Sequence, residues 1–183
     1  KNLENNDAFL YSYPFYTQDL DDTKYFMSSA GSNHGLWRTD ATSNGTQRIK
    51  SQNAHQFGSY GISSTGEALY IMGSQLWVSE GEEFNTRQIQ PSSSSSFGYP
   101  VNPASLNGKF LFMGSDYANG RELWISDGTN EGTQLLKDIC PGRPSGWASG
   151  FLRSKATDHF VFFSANDGVH GVELWASDGT ASG

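Results

Sequence analysis

The sequence predicts an all-β chain of four repeats, each built from four short antiparallel strands, and three observations carry that expectation. The string ELWISDGT at Glu122–Thr129 returns as ELWASDGT at Glu173–Thr180, with weaker echoes around Trp37 (GLWRTDATSNGT) and Trp77 (QLWVSEGEEFNT). The four tryptophans Trp37, Trp77, Trp124 and Trp175 are separated by 40, 47 and 51 residues, a period that belongs to propellers and solenoids. Glycine supplies 21 of the 183 residues, serine runs from Ser92 to Ser96, and no window sustains apolar residues at i, i+3, i+4 and i+7, so almost no helix is expected. The fold class that follows is a β-propeller-like array of four four-stranded antiparallel blades, with an open β-repeat stack as the alternative.

The blades fall at approximately 11–50, 57–90, 97–139 and 147–183, one repeat domain over 1–183 that reads as an excerpt of a longer array. The third is the clearest. Its first strand, Val101 to Leu106, meets the hairpin dipeptide Asn107-Gly108, where both residues accept positive φ cheaply. The second, Lys109 to Met113, is apolar on both faces, as a strand covered from above and below must be. A loop is expected over Ser115 to Arg121. The third strand, Glu122 to Ser126, stops at Asp127-Gly128, and the fourth, Thr133 to Ile139, stops at Pro141-Gly142. The fourth unit repeats this as Gly150 to Ser154, His159 to Ser164, a loop from Ala165 to Gly171, and Val172 to Ala176. Laying Lys1-Asn2-Leu3 on Lys137-Asp138-Ile139 puts Gly183 at the place of Gly132, so the last blade is expected to lack a strand. Residues 1–10, another copy or further chain would close it, and a head-to-tail copy would give a filament.

Size and charge narrow the function classes. A chain of this length buries roughly 70% of its unfolded surface, enough for a core without staples. Net charge is −7 and the twelve Lys and Arg residues are scattered singly, which argues against nucleic acid as a partner. No apolar run approaches the roughly 18 residues of a membrane span. Cys140 stands alone, so an internal disulfide is excluded, and no Cys/His cluster offers zinc a site. Asn44-Gly45-Thr46 is both a turn and a glycosylation sequon.

The run Glu122-Leu123-Trp124-Ile125-Ser126-Asp127-Gly128-Thr129, then Glu131-Gly132-Thr133, Leu136-Lys137-Asp138-Ile139 and Pro141-Gly142, resembles the ELWxxDGT repeat of large bacterial extracellular and surface proteins. The fourth unit matches as closely; the first has Asp40-Ala41-Thr42 and the second Glu80-Gly81-Glu82 at the turn. The resemblance implies a propeller-like repeat, extracellular or at the cell surface, with binding, adhesive or scaffolding roles and no general catalytic signature.

Side-chain alternation puts Glu122, Trp124 and Ser126 on one face of the third strand and Leu123 and Ile125 on the other, and stacked blades bury both. The four repeat tryptophans are therefore expected to be spacers between blades. An indole buries about 150–250 Å², an upper bound of roughly 4–6 kcal/mol. Asp127 and Asp178 read as turn residues whose carboxylates accept from backbone two residues on, with glycine supplying positive φ, so the turn needs no ion.

In such a blade the loops between second and third strands gather with the inter-blade connections at one end, opposite the Asp-Gly-Thr turns. The ligand-face candidates there are Tyr99, Tyr117, Arg121, Arg143 and Trp147. No cofactor is expected. Were an ion such as calcium held at this end, Asp116, Asp167, His34 and His170 would be its candidates, His34 and His170 because they occupy equivalent loops. There is no GxSxG, HExxH, P-loop or GxGxxG, so no catalytic residue is assigned. The expected function is a non-catalytic structural or adhesive module, its partners another protein or further copies of itself through strand edges or loops. A glycan-binding propeller and a propeller hydrolase are the alternatives.

Overall fold

A computed structural model describes residues 15–28, 34–51, 61–94, 96–142 and 155–183, and its strands group into four antiparallel sheets in chain order. The first holds β1 (Phe15–Leu20), β2 (Thr23–Ser28), β3 (Gly35–Thr39) and β4 (Gln47–Ser51); the second holds β5 (Gly61–Ser64), β6 (Leu69–Met72), β7 (Leu76–Ser79) and β8 (Arg87–Ile89). The third holds β9 (Gly98–Leu106), β10 (Lys109–Asp116), β11 (Gly120–Ser126) and β12 (Gln134–Lys137), and the fourth, among the described residues, β13 (Lys155–Ala156), β14 (Val161–Asn166) and β15 (Val172–Ser177). Among the described residues the sole helical element is a 3₁₀ turn, Glu83–Asn85, and no helix is long and apolar enough to cross a membrane.

The predicted strands that fall within the described residues exist, and their ends differ for local reasons. The loop expected over Ser115 to Arg121 is a three-residue turn, Tyr117 to Asn119. Ser115 and Asp116 stay in β10 and pair with Arg121 and Gly120 of β11. The Asp116 carboxylate closes the turn by accepting the Asn119 backbone N–H at 2.7 Å. Ala165 and Asn166, likewise expected in a loop, pair with Glu173 and Val172. His159, expected to open a strand, sits exposed in a turn, where the Thr157 hydroxyl accepts the backbone N–H groups of His159 and Phe160 at 3.4 and 3.1 Å, and β14 begins only at Val161. β12 stops at Lys137, short of the predicted Ile139, because the Ile139 N–H turns away to a carboxylate. The Asn107-Gly108 hairpin is as predicted, with φ of 52° and 73°. The strand expected over Gly150 to Ser154 lies outside the described residues, as do Lys1 to Leu10.

The chain divides into two compact units, Lys1–Arg87 and Gln88–Gly183. In the first, Tyr25, Met27 and Leu36 with Leu20 and Ile49 meet Ile62, Leu69, Ile71 and Trp77 of the following sheet. Register places Leu36 beside Met27 on one face of the first blade, and Trp77 beside Ile71 on one face of the second. In the second unit, Leu111, Met113, Leu123 and Ile125 meet Val161, Phe163 and Ala165, with half-buried Trp175 packed on them. Trp175 pairs with Phe163, and Leu123 with Met113. Each time, the indole-bearing face of the later blade lies on the leucine-bearing face of the earlier one.

The opposite face of the third blade shows the indole most fully enclosed. Trp124, 1% exposed, lies 4.8 Å from the Phe97 ring, which meets Phe112 edge-on at 5.9 Å. Gly114 makes room for all three: a Cβ there would come within 2.7–3.1 Å of Phe97, Phe112 and Trp124. Trp124→Ala should therefore cost the second unit about 3–5 kcal/mol in urea unfolding, whereas Trp175→Ala, from a half-buried site, should cost less than half as much.

Candidate functional site

The Asp-Gly-Thr turns build one internal network in chemically different versions. In the third blade Asp127 Oδ1 accepts both the backbone N–H and the hydroxyl of Thr129, at 2.9 and 2.8 Å, and Thr129 Oγ1 accepts the Gly132 N–H at 2.8 Å. Ser126 and Thr133 join hydroxyl to hydroxyl at 2.6 Å, and Ser126 Oγ also accepts the Gly128 N–H. The first blade repeats every contact with Asp40, Thr42, Gly45, Thr39 and Thr46, and holds Ala41 at φ 69° where glycine stands elsewhere. The second keeps the hydroxyl pair, Ser79 with Thr86, although Glu80-Gly81-Glu82 replaces the motif. In the fourth, Asp178 accepts from Thr180 and Ser177 from Gly179.

Two constraints in this network escaped the sequence reading. A side chain at Gly45 or Gly132 would run into the carboxylate of Asp40 or Asp127, so the aspartate and the glycine five residues on form a unit. In the second blade that pair becomes Glu80 and Asn85, whose amide donates to the glutamate at 3.5 Å. Hydrogen bonding from Thr42 and Thr180 holds Asp40 and Asp178 below the ordinary carboxylate pKa. For Asp127, partial burial opposes the shift and the Thr129 bonds outweigh it. These carboxylates are committed to their own backbone.

At the other end of the blades the predicted residues are spread among separate loops. Asp116 is buried in β10 with both oxygens on Asn119, and Arg121 is half-buried in β11. Tyr117 stands 85% exposed, its backbone N–H donating to Ser96 Oγ at 2.8 Å, so the β10–β11 turn and the entry to β9 share this end. Tyr99 is 53% exposed and held at φ 53°, in a stretch where β9 slips register against β10. Arg143 and Trp147 lie outside the described residues.

Each histidine of the proposed ion set is occupied locally. His34 Nδ1 lies 2.8 Å from the Ser28 carbonyl, which can only accept, so Nδ1–H donates; burial lowers the His34 pKa, and Nε2 is buried without a partner among the described residues. His170 Nδ1 lies 2.7 Å from Asp167 Oδ2, while Asp167 Oδ1 accepts the backbone N–H groups of Val169 and His170. The Asp167 bond raises the His170 pKa, and the same contacts lower that of Asp167. Among the described residues no three His, Cys, Asp or Glu side chains are grouped to hold a metal.

Glu122 departs in the opposite direction from these aspartates. It is 1% exposed, and its two oxygens accept the N–H groups of Ile139 and Cys140 at 2.6 and 3.3 Å, pinning the exit from β12. Burial, with the charges of Asp138 and Asp116, outweighs those bonds and pushes its pKa up to about 7. Only its face was predictable: a glutamate beside Trp124 gives no sign that it binds backbone 17 residues away.

No protein-family model matches the chain, and no curated sequence does. Its fold is similar to those of three solved structures. The computationally designed Ika4 protein superposes at a TM-score of 0.54 with 13% identity, over 95% of this chain and 94% of that one. TolB from Acinetobacter baumannii gives 0.53 at 12%, over 92% and 41%, and a puromycin hydrolase mutant complexed with PGG gives 0.53 at 12%, over 90% and 30%. The chain thus spans less than half of the last two. Its four-stranded antiparallel sheets are those of a β-propeller fold.

Two outcomes are expected from these sites. Because the folded pKa of Glu122 lies above its ordinary 4.5, its contribution to stability is fully present below pH 4.5 and is lost as pH rises to about 7. The slope is at most about 1.4 kcal/mol per pH unit, and Glu122→Gln should flatten that window in denaturation series. Ala41→Gly should stabilise the first unit by about 1 kcal/mol, by removing a Cβ from the left-handed region; a lower unfolding midpoint would contradict this.

Proposed function

We propose that the chain is a non-catalytic binding and scaffolding module of an extracellular or cell-surface protein, a β-propeller whose rigid blades present loops and edges to other macromolecules. The observation that carries this reading is the commitment of its acids. Asp40, Asp127 and Asp178 are taken up by their own turns, Asp116 and Asp167 by their own loops, and Glu122 by the exit of β12. A carboxylate that serves as general acid, general base or nucleophile must reach the reacting atoms, and these oxygens are turned to their own turns and loops instead. The likeness of the two octapeptides to the ELWxxDGT repeat supports the extracellular setting and the scaffolding role.

A glycan-binding version of the same module is favoured by Tyr99 and Tyr117, two exposed rings at the loop end of one blade. Beads coated with the chain, presented to beads carrying the same chain or a polysaccharide, test both versions. Adhesion is expected in at least one arm, falling at least about threefold in the Tyr99→Ala/Tyr117→Ala variant if the polysaccharide arm is the active one. Turnover of chromogenic glycosides or esters above the buffer rate, or no adhesion in either arm, would overturn the reading.

A further inference from the structure

We infer that Asn107 is a site of spontaneous covalent modification, where the side-chain amide is lost to water through a cyclic imide formed with Gly108. The sequence holds three Asn-Gly dipeptides: Asn44-Gly45, Asn107-Gly108 and Asn119-Gly120. Glycine after asparagine leaves the following backbone nitrogen unshielded, because it carries no Cβ, and lets the backbone turn freely. Sequence alone makes the three equivalent, and the structure makes them unequal.

The chemistry defines what must be free. The glycine nitrogen loses its proton to hydroxide and bonds to the asparagine Cγ. The bond from Cγ to the side-chain nitrogen then breaks, that nitrogen leaves as ammonia after taking a proton from water, and a five-membered imide remains. Water reopens the ring at either carbonyl. Breaking the new bond at Cγ gives aspartate, and breaking the original peptide bond gives isoaspartate, in which the main chain runs through the side chain. One water is consumed and one ammonia released, with no change of oxidation state. An acceptor on the glycine N–H, a partner holding the amide, or a neighbouring carboxylate opposes the first step, since the nitrogen must shed a proton and negative charge builds during attack.

Two of the three sites are guarded in this way. The Gly45 N–H donates to Thr42 Oγ1 at 2.9 Å, and Gly45 lies against the carboxylate of Asp40. The Asn119 amide donates to both oxygens of buried Asp116 at 3.1 and 3.0 Å, and its backbone N–H donates to the same carboxylate at 2.7 Å. Gly120 is itself buried in β11 and pairs with Asp116. Asn107 and Gly108, by contrast, are exposed and lie between strands. Among the described residues nothing accepts from the Gly108 N–H or holds the Asn107 amide, and a Cβ at Gly108 would meet nothing within 4 Å. Ring closure there has to rotate only these two left-handed residues.

The two products differ in their effect. Aspartate keeps the length of the main chain and tolerates positive φ. Isoaspartate inserts a methylene into the two-residue turn that sets Leu106 opposite Lys109, Ser105 opposite Phe110 and Ala104 opposite Leu111. Because turn length fixes hairpin register, that product pulls β9 against β10 and loosens the second unit, whose core includes Leu106 and Leu111.

The full chain is aged in mildly alkaline buffer, folded and in guanidinium chloride, and each dipeptide is followed by peptide mass spectrometry, with electron-transfer fragmentation separating isoaspartate from aspartate. Unfolded, the three sites should react at similar rates. Folded, Asn107 should react at least about fivefold faster than Asn44 and Asn119, the worth of the hydrogen bonds that guard them. Thr42→Val should raise the rate at Asn44 at least about threefold and leave Asn107 unchanged. Aged chains carrying isoaspartate at 107 should unfold at lower urea than fresh ones. Equal rates at the three folded sites, an Asn107 that reacts only in the unfolded chain, or an unchanged Asn44 rate in Thr42→Val would each overturn the assignment.

Discussion

The fold depends on one repeated contact, an indole-bearing sheet face lying on the leucine-bearing face of the sheet before it. Strand alternation makes that contact possible, because consecutive residues of a single strand serve two different interfaces. Leu123 and Ile125 face the fourth blade while Trp124 between them turns to Phe97 and Phe112. A shift of one residue in β11 would exchange these roles and leave a tryptophan where a leucine fits. Register is therefore the quantity the rest of each blade must protect.

The turn network protects it. A hydroxyl at the end of the third strand and another at the start of the fourth meet at 2.6 Å in three blades, fixing which residue faces which across the pair. The short side chains and left-handed residues between them vary: Gly128, Gly81 and even Ala41 occupy the same place. Hydrogen bonding thus specifies the turn more strictly than its most visible letters, Asp-Gly-Thr, and the second blade keeps the geometry after losing the aspartate.

The sequence revealed the periodic part of this molecule: repeat number, strand type, the Asn107-Gly108 hairpin and the burial of Trp37, Trp77 and Trp124, all of which follow from local spacing and propensity. Strand ends were less legible. Asp116, His159 and Ala165 stand beside residues that suit loops and strands alike, and the outcome was decided by capping bonds from Asn119 and Thr157 and by pairing with Glu173. Glu122 was illegible as more than a face residue, because its partners are backbone N–H groups whose arrival depends on the path of β12. Only chemical type marks the loop-end candidates in the sequence, and the structure shows Asp116 and Asp167 engaged with their immediate neighbours instead of with one another.

Among the described residues every sheet is woven from strands that follow one another along the chain, with no crossover between sheets. Contacts within a blade consequently span few residues, and closing each hairpin sacrifices little chain entropy. Such a molecule can assemble like a zip fastener, one leaf at a time, each finished leaf offering a template to its successor. Length is then a free parameter for evolution: duplicating one leaf adds another set of loops without redesigning those already in place.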